Sequence, residues 1–350
     1  MIKSLIRLIT LTVGLGIGSI AVAQEEVHFS QFSDATVMFN PATSGVFYGS
    51  LRFNGHYRTQ WGQTGGNPYT TMGASLDMPI LSDVTGQDFF ALGAYAFKDD
   101  AGVSQSSNFS GGLNLAFGKS FDPDENHFWS VGLKGTFNQK SMNYNGLNWG
   151  SQWNQIGFDQ TIPGEYAGEA SKTYFGMGAG FHHFYSNHSN IRTMFGVAIN
   201  NLNRPKVQYL NTEYQLSSSI FINGEIELHS HSDNFAFIPR GAMMFQGNER
   251  YYIIGTSVDF VLKEAGKITG NVQEVTLEFG GFYRWGDAVI LETQFNWAGL
   301  GVGFSYDLTL SSLSQAVRYQ GAMEVLLHYK LGYKKGIQTN HSNDRFDRIH

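Results

Sequence analysis

From Ala322 to Tyr333 the chain alternates with a period of two. Met323, Val325, Leu327, Tyr329, Leu331 and Tyr333 fall on one side, and Ala322, Glu324, Leu326, His328, Lys330 and Gly332 on the other. Successive side chains of a strand point to opposite faces. One face here is apolar with aromatic ends and the other mostly polar, the pattern of a strand standing between lipid and a polar interior. The pattern recurs. Val275, Leu277, Phe279, Tyr283 and Trp285 oppose Glu274, Thr276, Glu278 and Arg284. Leu300, Val302, Phe304, Tyr306 and Leu308 oppose Gly301, Gly303, Ser305, Asp307 and Thr309. Near the other end, Leu51, Phe53, Tyr57 and Trp61 oppose Arg52, Asn54, His56 and Arg58.

Read along the whole chain, this alternation predicts strands near 48–61, 69–79, 88–98, 105–119, 126–140, 172–184, 191–201, 213–230, 235–246, 250–262, 272–285, 288–297, 299–309 and 319–333. The count, about fourteen, is even, as single-chain bacterial barrels require. Segment 235–246 is the least regular, because Pro239 lacks a ladder donor. The expected fold is therefore an all-β, transmembrane antiparallel β-barrel. An open sheet would leave backbone groups unpaired in lipid, so a strand-built membrane protein must close on itself.

Composition supports this reading. Aromatic residues reach 15% while charged residues are only 15%, against about 25% charged in a typical soluble domain. The first 23 residues read as a signal peptide. Lys3 and Arg7 stand at its start, Leu8 to Ile20 is apolar or small, and Ala21-Val22-Ala23 precedes Gln24. That apolar run falls short of the ~20 residues a spanning helix needs. Removing it takes the 23 basic residues to 21 against 29 acidic ones, a mature charge of −8. A nucleic-acid partner is excluded, since it calls for a basic face. Without cysteine there is no disulfide, thiol chemistry or lipid-anchored N-terminal Cys.

Four regions follow: the signal peptide at 1–23, a periplasmic N-terminal segment at 24–47, the barrel at 48–333 and a polar tail at 334–350. The stretch 141–170 is rich in Asn, Gly, Trp and Gln and is expected to face outward, since barrels of this class carry their long loops outside.

Candidate chemistry is sparse. His182-His183 with His188 is the densest histidine group, but adjacent strand residues point to opposite faces and cannot share a metal. Arg52, Arg58, Lys134, Arg284 and Lys330 are expected inside, with Glu225, Glu227, Glu274, Glu278, Glu292, Asp307 and Glu324. Intramembrane charges face the interior and pair with one another, so these either fix the barrel's shape or line a solute path. There is no G-x-S-x-G and no Ser–His–Asp order. No enzyme, cofactor or metal is called for.

Two groups of motifs carry a family resemblance. The first is Phe29-Ser30-Gln31-Phe32, then Phe39-Asn40-Pro41-Ala42 and Gly45, Tyr57-Arg58-Thr59-Gln60-Trp61, and Ser75-Leu76-Asp77-Met78-Pro79. The second is Tyr283-Arg284-Trp285-Gly286-Asp287-Ala288, Gly303-Phe304-Ser305-Tyr306-Asp307, and Gly321-Ala322-Met323-Glu324-Val325-Leu326-Leu327-His328-Tyr329. In this order and spacing the chain resembles the PorP/SprF family of the Bacteroidetes type IX secretion and gliding motility system. The resemblance implies a non-enzymatic outer-membrane barrel seated in outer-membrane lipid. Its expected partners are periplasmic ring or linker lipoproteins and the C-terminal domain of a cognate secreted adhesin, whose export or surface anchoring it supports. The alternative is an outer-membrane porin or a hydrophobic-solute transporter. Phe29, Ser30, Gln31, Phe32, Asn40 and Pro41 are the candidate partner-binding residues. Their segment either plugs the periplasmic mouth or docks the ring, and loop 141–170 either meets the adhesin or forms a lid. The mature outer-membrane form should have the mass of a chain starting at Gln24; a mass retaining residues 1–23 would make that segment an anchor instead.

Overall fold

The computed structural model describes residues 28–47, 49–62, 68–82, 88–102, 106–122, 126–142, 149–159, 161–162, 171–187, 190–209, 212–230, 234–263, 274–312, 314 and 319–332. The expected signal peptide at 1–23, the expected tail at 334–350 and parts of the 141–170 stretch lie outside these residues. Sixteen strands are described. They are β1 Leu51–Gln60, β2 Tyr69–Ser82, β3 Asp88–Ala101, β4 Ser106–Ser120, β5 His127–Ser141, β6 Ser171–Ser186, β7 Ile191–Asn200 and β8 Lys206–Tyr209. The rest are β9 Thr212–Gln215, β10 Ser219–His229, β11 Phe235–Gln246, β12 Glu249–Lys263, β13 Val275–Arg284, β14 Ala288–Trp297, β15 Leu300–Thr309 and β16 Gln320–Leu331.

Fourteen of them form one closed barrel, each paired with its neighbours in chain order, with β7 joined directly to β10. The first and last strands seal it over an unbroken antiparallel register from Leu51↔Leu331 to Gln60↔Ala322. Closure leaves no edge, which is what a wall in lipid demands. The barrel strands run from 10 to 16 residues, enough for the ~9–11 residues that span a bilayer at a tilt. We call the end where β1 begins and β16 finishes the terminal end, and the opposite end, from which the 141–170 stretch leaves, the loop end.

The expected strands and faces match the observed ones closely, with one difference. The segment read as a single strand at 213–230 is broken at Leu216–Ser218. Its first part becomes β9, which pairs with β8 as a separate hairpin from Lys206↔Gln215 to Tyr209↔Thr212. Pro205 ahead of β8 and Ser217-Ser218 after β9 are the only local signs of this departure.

Side-chain burial follows the alternation. Along β16, Met323, Leu327, Tyr329 and Leu331 are exposed, whereas Ala322, Glu324, Leu326 and His328 are buried. Adjacent His182 and His183 split the same way. His182 is buried in the lumen, and His183 lies on the outer face against the Trp129 ring at 4.1 Å. Aromatic pairs mark both rims, with Trp61–Tyr69 and Tyr283–Trp285 at the loop end and Trp129–His183 at the terminal end. Such rings favour the headgroup level of a membrane. Pro239 is accommodated within β11, facing Thr256 of β12.

Leu133 lies in the middle of β5 and is 64% exposed on the lipid side. Leu133→Arg should destabilise the barrel by about 2–4 kcal/mol, the cost of a charge at the bilayer midplane, measured by urea unfolding in lipid vesicles. An unchanged midpoint would remove this face from the membrane.

Candidate functional site

The site is the lumen, because the chain fills it with its own N-terminal segment. Residues 28–47 lie inside the barrel and are almost wholly buried. The segment expected at 24–47, as a plug of the mouth or a dock for the ring, is thus described from His28 onward, and that part lies within the wall. It contains one short helix, α1 (Thr36–Phe39), and a 3-10 turn at Pro41–Thr43. Asn40 separates them: its side chain accepts the Ala42 N–H at 3.0 Å, and Pro41 occupies the first helical position, where no donor is needed.

Three stations hold the segment. The first is near the loop end. The Glu324 carboxylate accepts the Ser30 N–H at 2.7 Å and the Gln31 N–H at 3.2 Å. The Ser30 hydroxyl donates to both oxygens of Asp307, at 2.8 and 3.0 Å. Arg58 bridges the two acids, 2.8 Å from Asp307 and 3.3 Å from Glu324. Arg284 adds a second contact to Asp307. Arg58 and Glu324 are also direct register partners across the seam between β1 and β16. Rings pack around this polar knot: His28 stacks on Tyr251 at 4.3 Å and Phe29 lies 4.6 Å from His56.

The second station lies against β4 to β7. Asn114 donates to the Val37 carbonyl at 2.8 Å, Lys134 to the Met38 carbonyl at 3.0 Å, and Ser130 to the Ala42 carbonyl at 2.6 Å. Asn40 in turn donates to the Phe181 carbonyl of β6 at 3.0 Å. The close approach needs glycine in the wall. A Cβ on Gly132 would stand 2.5 Å from the Pro41 carbonyl carbon and the Ala42 nitrogen, both backbone.

The third station is at the terminal end. Asp77 accepts the Gly45 N–H at 2.7 Å and is itself held by Arg52 at 2.9 Å, while Arg52 also donates to the Thr43 carbonyl at 3.1 Å. Beneath it, Val46 packs with Phe89, Ala91, Ala116, Phe128 and Phe184. The segment therefore enters the described structure near the loop end at His28 and leaves at the terminal end, where β1 begins.

Between these stations the lumen is both charged and apolar. Arg240 contacts Glu278 and lies 3.2 Å from Glu292 and 3.8 Å from Glu225, and it donates to the Ser33 hydroxyl at 2.8 Å. Asp34 lies 3.4 Å from His328. Phe29, Phe32 and Phe39 share a core with inward Phe221, Ile253, Phe282 and Ile290. All twelve charges expected inside are at inward positions. Arg240, Asp77 and Asp34 are additional members that alternation alone passed over. Arg240 lies next to Pro239, in the segment whose pattern is weakest.

The six candidate partner-binding residues are placed as follows. Phe29, Ser30, Gln31 and Phe32 lie at or near the loop-end station, and Asn40 and Pro41 lie against the opposite wall. All six are buried.

A family model described as "Type IX secretion system membrane protein PorP/SprF" matches residues 21–329. The chain belongs to the PorP/SprF family. The match takes in the plug segment and nearly the whole barrel, so a PorP/SprF protein is here an outer-membrane β-barrel with its own N-terminal segment inside. No curated protein matches the chain. Among solved structures it is similar to the toluene transporter TbuX of Ralstonia pickettii, with 10% identity over 86% of this chain and 94% of that one and a TM-score of 0.50. It is also similar to a deletion mutant of the monoaromatic hydrocarbon channel TodX, with 11% identity, 85% and 94% coverage and a TM-score of 0.48. At such identities the likeness to TbuX is one of fold alone.

Replacing Glu324 by Ala would orphan two buried N–H groups and leave Arg58 short of a partner, a change worth about 3–5 kcal/mol for a broken buried pair. Limited proteolysis should then cut within 28–47 while the barrel keeps its heat-modifiable gel mobility. Gly132→Val should give the same result by displacing Pro41 and Ala42. Protection equal to the parent chain in both variants would show that these stations do not hold the plug.

Proposed function

We propose that this PorP/SprF protein supports export or surface anchoring of a cognate secreted adhesin, that its terminal end docks periplasmic ring or linker lipoproteins, and that it is no enzyme. The observation that carries the reading is the plug. Its three stations tie residues 30–45 to opposite sides of the wall, and buried carboxylate and guanidinium groups line what space is left. Such an interior suits a closed, partner-operated component better than a conduit for apolar solutes, which would have to pass charged groups. TbuX is a toluene transporter by its title, and a hydrophobic-solute transporter is the competing reading.

Phe29, Ser30, Gln31, Phe32, Asn40 and Pro41 bear on partner binding in one of two ways in this proposal. They hold the segment in the lumen, or they meet the ring once the segment is drawn out toward the terminal end. The loop-end stretch 141–170 is the surface proposed to meet the adhesin. Part of it is a compact turn, in which Asn154 accepts the Gly157 N–H at 2.9 Å and Trp153 packs on Phe158 at 5.1 Å, leaving Ile156 exposed at the tip. Loops on a rigid scaffold commonly carry such contacts.

Deleting residues 24–45 should abolish co-purification of crosslinked ring components while the barrel stays heat-modifiable; co-purification at the parent level would overturn the docking proposal. In planar bilayers the intact chain should show no large steady conductance, and the deletion should create one. A large, steady pore in the intact chain would favour the porin reading.

A further inference from the structure

The hairpin of β8 and β9 interrupts what alternation predicts as one strand, and the break brings Asn201, just past β7, and Leu216, just past β9, to a small cavity at the loop end. The cavity measures about 60 Å³, room for about four to six water molecules at ~10–15 Å³ each. Met38 and Phe39 of the plug line it from within, and Tyr95 and Phe97 of β3 from the wall. The Tyr95 and Phe97 rings lie parallel within 8°, their centroids 6.4 Å apart. The wall of β6 is bare here. A Cβ on Gly176 would stand 2.5 Å from the Thr136 hydroxyl and 2.8 Å from Oδ1 of Asn201, and one on Gly178 3.1 Å from Oδ1 of Asn200. Glycine at these two positions lets the amides close in around the space.

The polar atoms left to this cavity are of one kind. Asn200 lines it, is only 5% exposed, and has no hydrogen-bond partner for its Oδ1 among the protein's atoms. Asn138 donates from its amide nitrogen to the Thr136 hydroxyl at 2.9 Å, and Gln246 to the Ser217 carbonyl at 3.3 Å, which leaves the carbonyl oxygen of each as an acceptor. Acceptors call for a ligand that donates, and buried polar groups are as a rule hydrogen-bonded. Charge narrows the choice. Among the described residues lining the cavity there is no Asp or Glu, and Lys134 is the one charged side chain. It donates to the Met38 and Phe39 carbonyls at 3.0 and 3.5 Å and lies 5.5 Å over the Tyr95 ring. An ammonium or guanidinium would enter beside Lys134 with no carboxylate to balance it, and a carboxylate or phosphate would meet carbonyl oxygens. The ligand that fits is small, neutral, rich in donors and apolar on one face for the rings. A sugar ring has all of these, with hydroxyls around its rim and C–H groups across its face.

We propose that this loop-end cavity is a binding site for one neutral hexopyranose unit. The inference rests on the barrel, its plug and the β8–β9 hairpin alone and stands or falls separately from the role in secretion. Sugar hydroxyls donate to Oδ1 of Asn200 and to the amide oxygens of Asn138 and Gln246, and the Tyr95 and Phe97 rings take the C–H face. Met38 and Phe39 lie on the inner side, so the bound sugar rests on the plug.

Full-length protein in an amine-oxide detergent, which carries no sugar of its own, would be mixed with glucose, galactose and mannose, with their methyl glycosides, and with glucosamine and glucuronic acid. Saturation-transfer difference NMR would read binding. At least one neutral sugar should bind more tightly than both charged ones, with the strongest transfer to C–H protons on one face. Asn200→Leu and, separately, Gln246→Leu should each weaken that binding about tenfold. Asn223→Leu, in the terminal-end cavity, should leave it unchanged, and all three should keep the parent's heat-modifiable mobility. Equal binding of a sugar and its methyl glycoside would assign the end of a glycan chain, and preference for the unblocked sugar a free monosaccharide; each supports the site. Absence of binding by every neutral sugar, or indifference to both loop-end variants, would overturn the proposal. So would tighter binding of N-acetylasparagine amide than of any sugar, since the cavity would then take a peptide side chain.

Discussion

The Glu324 carboxylate accepts two backbone N–H groups from a segment almost three hundred residues earlier in the chain, and the inside of the barrel is organised around that contact. A wall in lipid has a single requirement, that every backbone group be satisfied by a neighbour. The lumen has a harder one. It must bury charged side chains at inward positions and a stretch of non-helical, non-strand backbone at once. Each problem answers the other here. Carboxylates and amides of the wall take up the segment's N–H and C=O groups, and the segment excludes water from the wall's ion pairs. A hydrogen bond to a charged group is worth about 1.5–3 kcal/mol, so the loop-end station alone is a substantial part of what keeps the segment in place.

The wall was legible from the chain because its cause is local. Lipid on one side and a polar interior on the other impose a period of two, and residues such as Met323 and Glu324 declare their faces within a few positions. The interior was less legible, since its contacts are long-range. Nothing near Ser30 indicates Asp307, and nothing near Gly132 says that Pro41 will press against it. Arg240 is masked in the sequence because Pro239 weakens the pattern around it, although the strand tolerates both. Ile253, Ile290 and Phe282 face inward against expectation for a polar lumen, because three phenylalanines of the plug need an apolar surface to meet. The motif residues Phe29 to Phe32 and Asn40-Pro41 stood out in the sequence, and what they touch was fixed only by the fold.

The plug also divides the interior unequally. The larger space, at the terminal end, is rich in carboxylates. The smaller one, about 60 Å³ at the loop end, is lined by amides and aromatic rings such as Asn108, Asn138, Tyr95 and Tyr174. Family membership gives the machinery in which such a barrel works, and the likeness to TbuX gives only its shape. The difference between the two ends is a property of this chain's own residues.

The loop-end station spans the closing seam. Arg58 belongs to the first strand and Glu324 to the last, the two are register partners, and Ser30 is held between Glu324 and the neighbouring Asp307. The segment therefore cannot acquire its full set of contacts until the final strand has arrived. Nor can the seam bring Arg58 and Glu324 together without the groups that complete their coordination. Sealing the wall and completing the segment's contacts are then one assembly event rather than two, and a nascent chain still lacking its last strand offers the segment only the stations on β1, β2 and β4 to β7. In this molecule the order of synthesis, first strand early and last strand late, makes the segment's full set of contacts a marker that the barrel is finished.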